Sequence, residues 1–277
     1  MTSASVPVSG PGRAADPARP VRPSRLIDKP VAGTTVRLPQ VRKVIGARMM
    51  ESLHNTAQLT AVQEADLTTL AEYRTSVKGQ FLATEGFALT FQPFLAYATV
   101  QALKEYPEFN ASISGDGRTV TYHSGIHLGI AVDTPRGLMV PVVRNTEQHS
   151  FIELARGVAD VVARTRDNTI EFDELSGSTF TLSNIGSAGS ITDTPIINPP
   201  EVAILALGAI RRMPRVIRSA HGEEMLAIRS VCSLPLTYDH RLIDGAAAGR
   251  FLESVRAHLE IDSPAVYFDA LASAGAR

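Results

Sequence analysis

The sequence predicts an α+β fold in which helices cover a mixed β-sheet. Apolar residues recur at helical spacing in some segments, while other segments are short, apolar and rich in β-branched residues, as strands are. Several strand-like segments occur in adjacent pairs, and helical segments separate the others. Strands in adjacent pairs, interspersed with helices, favour a mixed sheet with helices packed on it.

The first 35 residues differ in composition from the rest. Prolines recur there among Ser, Ala, Gly and Val, and large apolar side chains are scarce. Proline stops helices and cannot donate a hydrogen bond within a sheet. The few large apolar side chains would bury too little surface to offset the entropy lost on ordering. We therefore expect residues 1–35 to be a flexible Pro/Ala-rich tether and residues 36–277 to form one folded domain.

Five segments have the apolar spacing of amphipathic helices. Asp66 is a suitable N-cap for the second of them, Pro93 is tolerated in the first turn of the third, and Asp244 lies near the N-cap of the last. The predicted helices cover about residues 41–53, 67–77, 91–105, 151–166 and 244–260.

Strand-like segments lie between these helices. The turn at 115–117, Gly-Asp-Gly, predicts a β-hairpin of residues 110–114 and 119–123. A second strand pair is expected on either side of the turn at 133–137, from the apolar segments at 126–132 and 138–143. Further strands are predicted at 179–182, at 202–210 and within 225–237.

Composition excludes several classes of protein. The chain has 277 residues, 27 basic and 28 acidic side chains, a formal net charge of −1 and one cysteine. That charge balance leaves no basic surface for nucleic acid or an anionic membrane. A single cysteine, Cys232, cannot form an intrachain disulfide, which favours a reducing, cytoplasmic compartment. We expect neither a nucleic-acid partner nor a membrane one, because no apolar run is long enough to cross a bilayer.

The segment 238–245, Tyr-Asp-His-Arg-Leu-Ile-Asp-Gly, is the sharpest local candidate for a site. An apolar strand ends at His240, and Asp244 follows four residues later at the start of a helix. Histidine has an ordinary pKa near neutrality and can accept a proton at cellular pH. From these residue types alone, a simple helix cap at Asp244 and a surface histidine are the more common arrangement.

Ser183 is a second candidate, at the point where a strand gives way to a glycine-containing loop. A serine there can be a nucleophile or a donor to a developing oxyanion, although serines in turns usually bond locally. The neighbouring residues form neither the hydrolase elbow nor a phosphate loop. We predict no metal site, because His123 and His127 flank Gly125 in strand-like sequence and no compatible ligand set accompanies His240.

Taken in order, these segments resemble the catalytic domain of dihydrolipoamide acyltransferases, the acyl-transfer component of 2-oxo-acid dehydrogenase complexes. The His-x-x-x-Asp-Gly piece alone recurs in chloramphenicol acetyltransferases and related enzymes, whereas the ordered set of segments is specific. The resemblance runs from about Val36 to about Leu259. It is carried by residues 42–49, 110–112, 129–138, 141–142, 179–186, 199–205, 239–241 and 244–246.

The resemblance implies a role for each matching residue. His240 would be the general base that takes the proton of the attacking thiol, and Ser183 would donate a hydrogen bond to the oxyanion of the tetrahedral intermediate. Asp244 would hold the turn, with Arg42 as a supporting ion-pair partner. No acyl-enzyme is expected, because one thiol attacks the thioester of the other directly.

The resemblance also implies architecture and partners. The fold would be the chloramphenicol-acetyltransferase-like sandwich, assembled as a homotrimer with the active site between neighbouring subunits. Coenzyme A would be a substrate, and the second thiol would be a lipoyl group on a separate domain or protein, since residues 36–277 match only the acyltransferase domain. A lipoyl carrier protein and a thiamine-dependent decarboxylase component would be partners. A larger cage is possible in the family, but Tyr267, Phe268 and Leu271 offer only a small apolar anchor, which favours a free trimer.

We therefore expect acyl transfer between a dihydrolipoyl thiol and coenzyme A. One alternative is transfer from a separate lipoyl carrier to a biosynthetic carrier protein or a small acceptor. Another is a non-catalytic scaffold of the same fold. The sequence does not distinguish an acetyl, succinyl or branched-chain acyl group.

Overall fold

The computed structural model describes residues 32–219 and 221–268. Nearly all of the tether predicted for residues 1–35 lies outside the described residues, as does Leu271 of the predicted anchor. The described part contains five α-helices and eleven strands. The helices are α1 Gln40–Asn55, α2 Thr68–Glu85, α3 Gln92–Glu105, α4 Phe151–Arg166 and α5 Gly245–Leu259.

The strands alternate with these helices along the chain. They are β1 Gln58–Asp66, β2 Ala111–Ile113, β3 Val120–Tyr122, β4 Leu128–Ile130, β5 Val132–Thr134, β6 Gly137–Met139, β7 Val142–Val143, β8 Phe180–Asn184, β9 Ala203–Leu207, β10 Arg211–Arg218 and β11 Glu224–Asp239. The predicted α+β class is confirmed.

The main sheet is mixed, as predicted. Its order is β1-β11-β9-β8-β4-β7, and β10 also pairs with β11. Strand β8 runs parallel to both β4 and β9, while the other pairs in the sheet are antiparallel. The hairpins β2-β3 and β5-β6 form two small separate sheets.

Strand β11 is the longest and organises the sheet. Its second half pairs with β1 on one side and with β9 on the other, and its first half pairs with β10. The register with β9 sets Leu236 opposite Leu205, and the register with β10 sets Val231 opposite Arg211. The two registers differ by one residue. Strands β9 and β10 therefore pair with the same side of β11 one after the other, with a bulge between them.

The core lies between the sheet and helices α3 and α5. Helix α3 is largely buried and packs against both α4 and α5. Phe251 of α5 stacks on Phe109 with ring centroids 4.2 Å apart and lies 5.8 Å from the ring of Phe180 in β8. These contacts anchor α5 to the sheet, and the start of α5 is therefore fixed relative to the end of β11.

Several elements depart from the sequence-based prediction. Strands β1 and β10 were not predicted, and the expected pair 126–132 and 138–143 is divided into β4, β5, β6 and β7. Helix α2 has Leu67 as its N-cap, and Asp66 ends β1, where its carboxylate accepts a hydrogen bond from the Thr68 backbone N–H at 2.9 Å. Asp66 was predicted to be the N-cap of α2. It instead supports the first turn of α2 from the position just before the N-cap.

The residues predicted as an apolar anchor are used within the subunit. The Tyr267 side chain is buried, and its ring centroid lies 5.1 Å from those of Phe94 and Phe151. The Phe268 ring packs beside Phe81 and Phe151. Among the described residues, no helix is both long enough and apolar enough to cross a bilayer.

Candidate functional site

His240 lies on the tight turn that follows β11, and its side chain is exposed. Its backbone N–H donates to the carbonyl of Ala57 at 2.8 Å. The preceding residue, Asp239, donates its own N–H to Val202 at 2.9 Å and accepts at its carbonyl from Leu242 and Ile243. The turn is thus hydrogen-bonded on both sides, to the residues that precede β1 and β9. These bonds fix the backbone from which the His240 imidazole projects.

The Asp239 carboxylate is buried beneath this turn. It accepts backbone hydrogen bonds from Ala57 at 3.2 Å and from Arg241 at 3.1 Å, and the Arg241 guanidinium bonds both of its oxygens. The hydrogen bond to Asp239 raises the pKa of the Arg241 guanidinium. Ala57 therefore contacts Asp239 with its N–H and His240 with its C=O. Asp239 had no predicted role of its own, although a carboxylate at the end of an apolar run is a signal visible in the sequence.

Asp244 is the N-cap of α5, as predicted. One of its carboxylate oxygens accepts a hydrogen bond from the Ala247 backbone N–H at 2.7 Å. Burial, followed by the negative charge of Asp244, raises the pKa of the Tyr238 hydroxyl. Among the described residues, no ion pair joins Asp244 to Arg42; both side chains are exposed, Asp244 before α5 and Arg42 on α1. The supporting role of Arg42 stays a prediction.

Ser183 lies in β8, opposite Ala206 of β9, and its side chain is half-buried. Its hydroxyl has no hydrogen-bond partner among the residues described. The loop that follows is closed by Asn184, whose side chain accepts from the Ser187 N–H at 3.1 Å. A Cβ at Gly186 would lie 2.6 Å from the carbonyl oxygen of Gly208, so only glycine fits this close approach.

His240 and Ser183 lie at opposite ends of β9 in one subunit. Tyr238 is opposite Ala203, so the register brings His240 level with position 201, while Ser183 is level with position 206. Five residues of strand separate these levels by about 16 Å, and the two strands flanking β9 are about 10 Å apart. A single subunit therefore does not bring these two side chains together.

A buried glutamate lies level with the His240 turn. One oxygen of Glu201 accepts hydrogen bonds from Thr181 at 2.9 Å, from Asn198 at 2.8 Å and from the Ser178 hydroxyl, and the other oxygen has no partner among the residues described. Burial raises its pKa to about 7. Glu201 was predicted only as part of the family-like segment 199–205, although a carboxyl beside the apolar run of β9 is visible in the sequence.

Glu201, Asp239 and Arg241 line one cavity. It has a volume of about 320 Å³ and lies between the end of α1 and the β2-β3 hairpin. Ser52 of α1, also in its lining, donates a hydrogen bond to Ile197 at 2.6 Å. Two residues that flank His240, Asp239 and Arg241, thus line this cavity.

The remaining candidates have structural explanations. His127 accepts a hydrogen bond from the Asn145 N–H at 3.0 Å, and burial, followed by the charge of His127, lowers the pKa of His123. In the described ranges, no three His, Cys, Asp or Glu side chains come together as a metal-ligand set. Burial raises the pKa of the Cys232 thiol to about 12, which leaves it unreactive near neutral pH.

Residues 31–268 match the model of one protein family, the 2-oxoacid dehydrogenases acyltransferase (catalytic domain). The dihydrolipoyllysine-residue acetyltransferase component of the pyruvate dehydrogenase complex of Mycobacterium bovis is 49% identical over 228 residues. The match covers 82% of this chain and 41% of that relative, so the chain spans about two fifths of its length.

Solved structures agree with this match. The dihydrolipoamide acetyltransferase of Azotobacter vinelandii, in whose catalytic mechanism a serine, a histidine and an asparagine were investigated, is 34% identical with a TM-score of 0.75, covering 83% of this chain and 95% of that one. The cubic core of a pyruvate dehydrogenase multienzyme complex has the same identity, 34%, and TM-score, 0.75, over 86% of this chain and 97% of that one. With the family match over nearly all of the described residues, these likenesses lead to one conclusion: the chain belongs to the 2-oxoacid dehydrogenase acyltransferase family and carries its catalytic domain.

Proposed function

We propose that the protein transfers an acyl group between a dihydrolipoyl thiol and the thiol of coenzyme A by direct thioester exchange. Family membership supports this reaction class. The observation that carries the proposal is the exposed His240 side chain on a turn whose backbone is bonded to Ala57 and, through Asp239, to Val202. A rigidly placed, solvent-accessible histidine is suited to take a proton from a bound thiol.

The reaction needs no covalent enzyme intermediate. His240 takes the proton of the attacking thiol, and the resulting thiolate sulfur forms a bond to the thioester carbonyl carbon. The carbonyl electron pair moves to oxygen, where the Ser183 hydroxyl donates a hydrogen bond. When the carbonyl re-forms, the original C–S bond breaks and the departing thiolate recovers the proton from His240. Because thiol and thioester are exchanged for their equivalents, alignment and oxyanion stabilisation supply most of the catalysis.

The active unit is a homotrimer in this proposal. His240 and Ser183 are separated by about 16 Å along β9 within one subunit, so a complete site needs His240 of one subunit and Ser183 of its neighbour. Helix α1 supports assembly, because Val44, Met50 and Leu53 are about half-exposed on it and a single subunit leaves them uncovered. Assembly of trimers into a cage would resemble the similar cubic core.

The proposed partners follow from the same chemistry. The second thiol belongs to a lipoyl group on a separate domain or carrier protein, which is loaded by a thiamine-dependent decarboxylase component. Asp244 supports the reaction by capping α5 next to the His240 turn. The lone, unreactive cysteine is compatible with the reducing cytoplasm proposed as the location.

The direct test is acyl transfer by the purified full chain. Acetyl-dihydrolipoamide and coenzyme A are the substrates, and formation of acetyl-coenzyme A is measured. We expect transfer by the wild type and a loss of roughly 100-fold or more in His240→Ala, the usual contribution of a general base. Arg118→Gln on the β2-β3 hairpin is the matched surface control. Absence of acetyl-coenzyme A with the intact wild-type trimer would exclude the proposed reaction.

A mixing experiment tests the shared site. His240→Ala and Ser183→Ala subunits are unfolded and refolded together in equal amounts. If each site takes one residue from each of two neighbours, about a quarter of the interfaces combine two intact residues, and activity returns to about that fraction. If both residues act within one subunit, the mixture stays as inactive as either variant alone.

A further inference from the structure

Glu201 joins two segments of the chain through one carboxyl oxygen. The side chain is 3% exposed, and this oxygen accepts a hydrogen bond from Thr181 at 2.9 Å, from Asn198 at 2.8 Å and from the Ser178 hydroxyl. Thr181 lies in β8 and Ser178 shortly before it. Asn198 belongs to the same turn as Glu201, whose N–H donates to the Asn198 carbonyl at 3.1 Å. The buried oxygen therefore holds the turn of residues 198–201 against β8.

The backbone next to Glu201 carries a hydrogen bond of the His240 turn. Val202 follows Glu201 and accepts at its carbonyl from the Asp239 N–H at 2.9 Å. Asp239 in turn precedes His240. Glu201 is thus one residue from the acceptor of this bond, and His240 is one residue from its donor. A shift of residues 198–202 would therefore displace the backbone that carries the imidazole.

The start of the same segment contacts the second support of the turn. The Ile197 N–H donates to the Gln58 side chain at 3.2 Å, and the Ile197 carbonyl accepts from the Ser52 hydroxyl at 2.6 Å. Gln58 follows Ala57, whose carbonyl accepts from the His240 N–H. Loss of the glutamate bonds would therefore loosen a segment that is connected to both sides of the turn.

We propose that Glu201 is a positioning residue that holds the His240 turn in place through the 198–202 segment. The proposal rests on the general-base role proposed above for His240. Every hydrogen bond that the structure gives to the Glu201 carboxyl comes from the three side chains named above, and the side chain is buried. Glu201 therefore acts on the position of His240 and not on a bound thiol.

Two substitutions separate the accepting oxygen from the volume of the side chain. Glu201→Gln keeps a carbonyl oxygen at the accepting position and resembles the neutral carboxyl, which burial favours by raising the pKa of Glu201 to about 7. Glu201→Leu keeps much of the volume and leaves the three donors without an acceptor. Glu85→Leu is the matched control, because the Glu85 side chain is also buried, at 6% exposed, and pairs with Arg156 of α4.

Hydrogen–deuterium exchange of the full chain measures the turn directly, because the N–H groups of Asp239 and His240 are both hydrogen-bonded. We expect these two amides to exchange about 10-fold or more faster in Glu201→Leu than in the wild type, as after the loss of buried acceptors. Glu201→Gln and Glu85→Leu should stay within about 3-fold of the wild type there. Unchanged exchange at the turn in Glu201→Leu, or equal acceleration along the whole chain, would overturn the proposal.

Thr181→Val is the milder variant, and it decides the question if Glu201→Leu does not fold. It removes one of the three donors and leaves the glutamate in place. Exchange at the turn should then be about 2- to 5-fold faster than in the wild type, the effect of one hydrogen bond. Wild-type exchange at the turn in Thr181→Val would in that case overturn the proposal.

Initial rates with acetyl-dihydrolipoamide and coenzyme A test the link to turnover. Glu201→Leu should lower kcat by about 10- to 100-fold, because a small displacement of a catalytic group is enough, and should leave both KM values within about 3-fold. Glu201→Gln should recover kcat to within about 3-fold of the wild type, and Glu85→Leu should retain it. A role in stability alone would instead lower kcat in both leucine variants or in neither.

The two measurements also separate this proposal from the proposed function. If the wild type transfers no acyl group, the proposed function fails, and faster exchange in Glu201→Leu still supports the connection between Glu201 and the turn. If the wild type is active and Glu201→Leu exchanges faster at the turn with unchanged kcat, the positioning role alone is wrong.

Discussion

Removal of the Asp239 carboxylate should affect both folding stability and turnover. The side chain is 1% exposed and accepts from two backbone N–H groups, those of Ala57 and Arg241, as well as from the Arg241 guanidinium. Asp239→Ala removes every one of these acceptors at once. Ala57 also holds the His240 N–H, so its displacement is transmitted to the turn that carries the proposed base.

The magnitude follows from the solvation of each partner. The two backbone donors lose their acceptors in a buried site, at a cost of about 1–1.5 kcal/mol each. The Arg241 side chain is 40% exposed, so water replaces the carboxylate and its share is only about 0–1 kcal/mol. We expect Asp239→Ala to lower the free energy of unfolding by about 2–4 kcal/mol. Asp239→Asn keeps an oxygen acceptor for the backbone groups and should lose about 1 kcal/mol.

Urea unfolding followed by circular dichroism, at one fixed subunit concentration, measures the stability change. Initial rates of acetyl-coenzyme A formation measure kcat, which we expect to fall by about 10- to 100-fold in Asp239→Ala because a small displacement of a catalytic group is enough. In Asp239→Asn, kcat should change by less than about 5-fold. The reasoning would be refuted if Asp239→Ala matched the wild type in both unfolding free energy and kcat.

Three further changes test other parts of the structure. Burial raises the pKa of Glu201 from 4.5 to about 7, so the native state holds this proton more tightly than the unfolded chain, and stability falls as pH rises through that window. Between about pH 5 and about pH 8, the wild type should therefore lose about 2.5 kcal/mol more unfolding free energy than Glu201→Gln; equal pH dependence of the two contradicts this. Phe251→Ala removes the ring stacked at 4.2 Å on Phe109 and should cost about 3–5 kcal/mol in urea unfolding, and a cost below 1 kcal/mol would mean that the ring is not a core contact. Asp244→Ala loses the bond to the Ala247 N–H and should cost about 1 kcal/mol, whereas Asp244→Asn keeps an N-cap acceptor and should stay within about 0.5 kcal/mol of the wild type in the same assay.

Elements with strong local signals could be predicted from sequence. Helix α4 spans Phe151–Arg166 as expected, with a Ser150 and Glu153 capping box at its start. Helix α5 begins directly after Asp244. In both, apolar spacing and a capping side chain agree, so local and tertiary preferences select the same structure.

Strands β1 and β10 could not be predicted in this way. Strand β1 has polar residues at five of its nine positions and is formed by nine-residue pairing with β11, a segment far away in the chain. Strand β10 contains Pro214 and four arginines, which is tolerated at the edge of a sheet. Their stability comes from a distant partner, and no local pattern records that partner.

The sequence by itself determined the family, the fold class and the candidate residues His240, Ser183 and Asp244, because each lies in a segment with a distinctive local pattern. Tertiary structure alone decided how these residues relate. It separated His240 from Ser183 by the length of β9, buried the Asp239 carboxylate under the turn, and brought three side-chain donors to the Glu201 carboxyl. These relations depend on strand register and on which distant groups share a site, and a one-dimensional pattern contains neither.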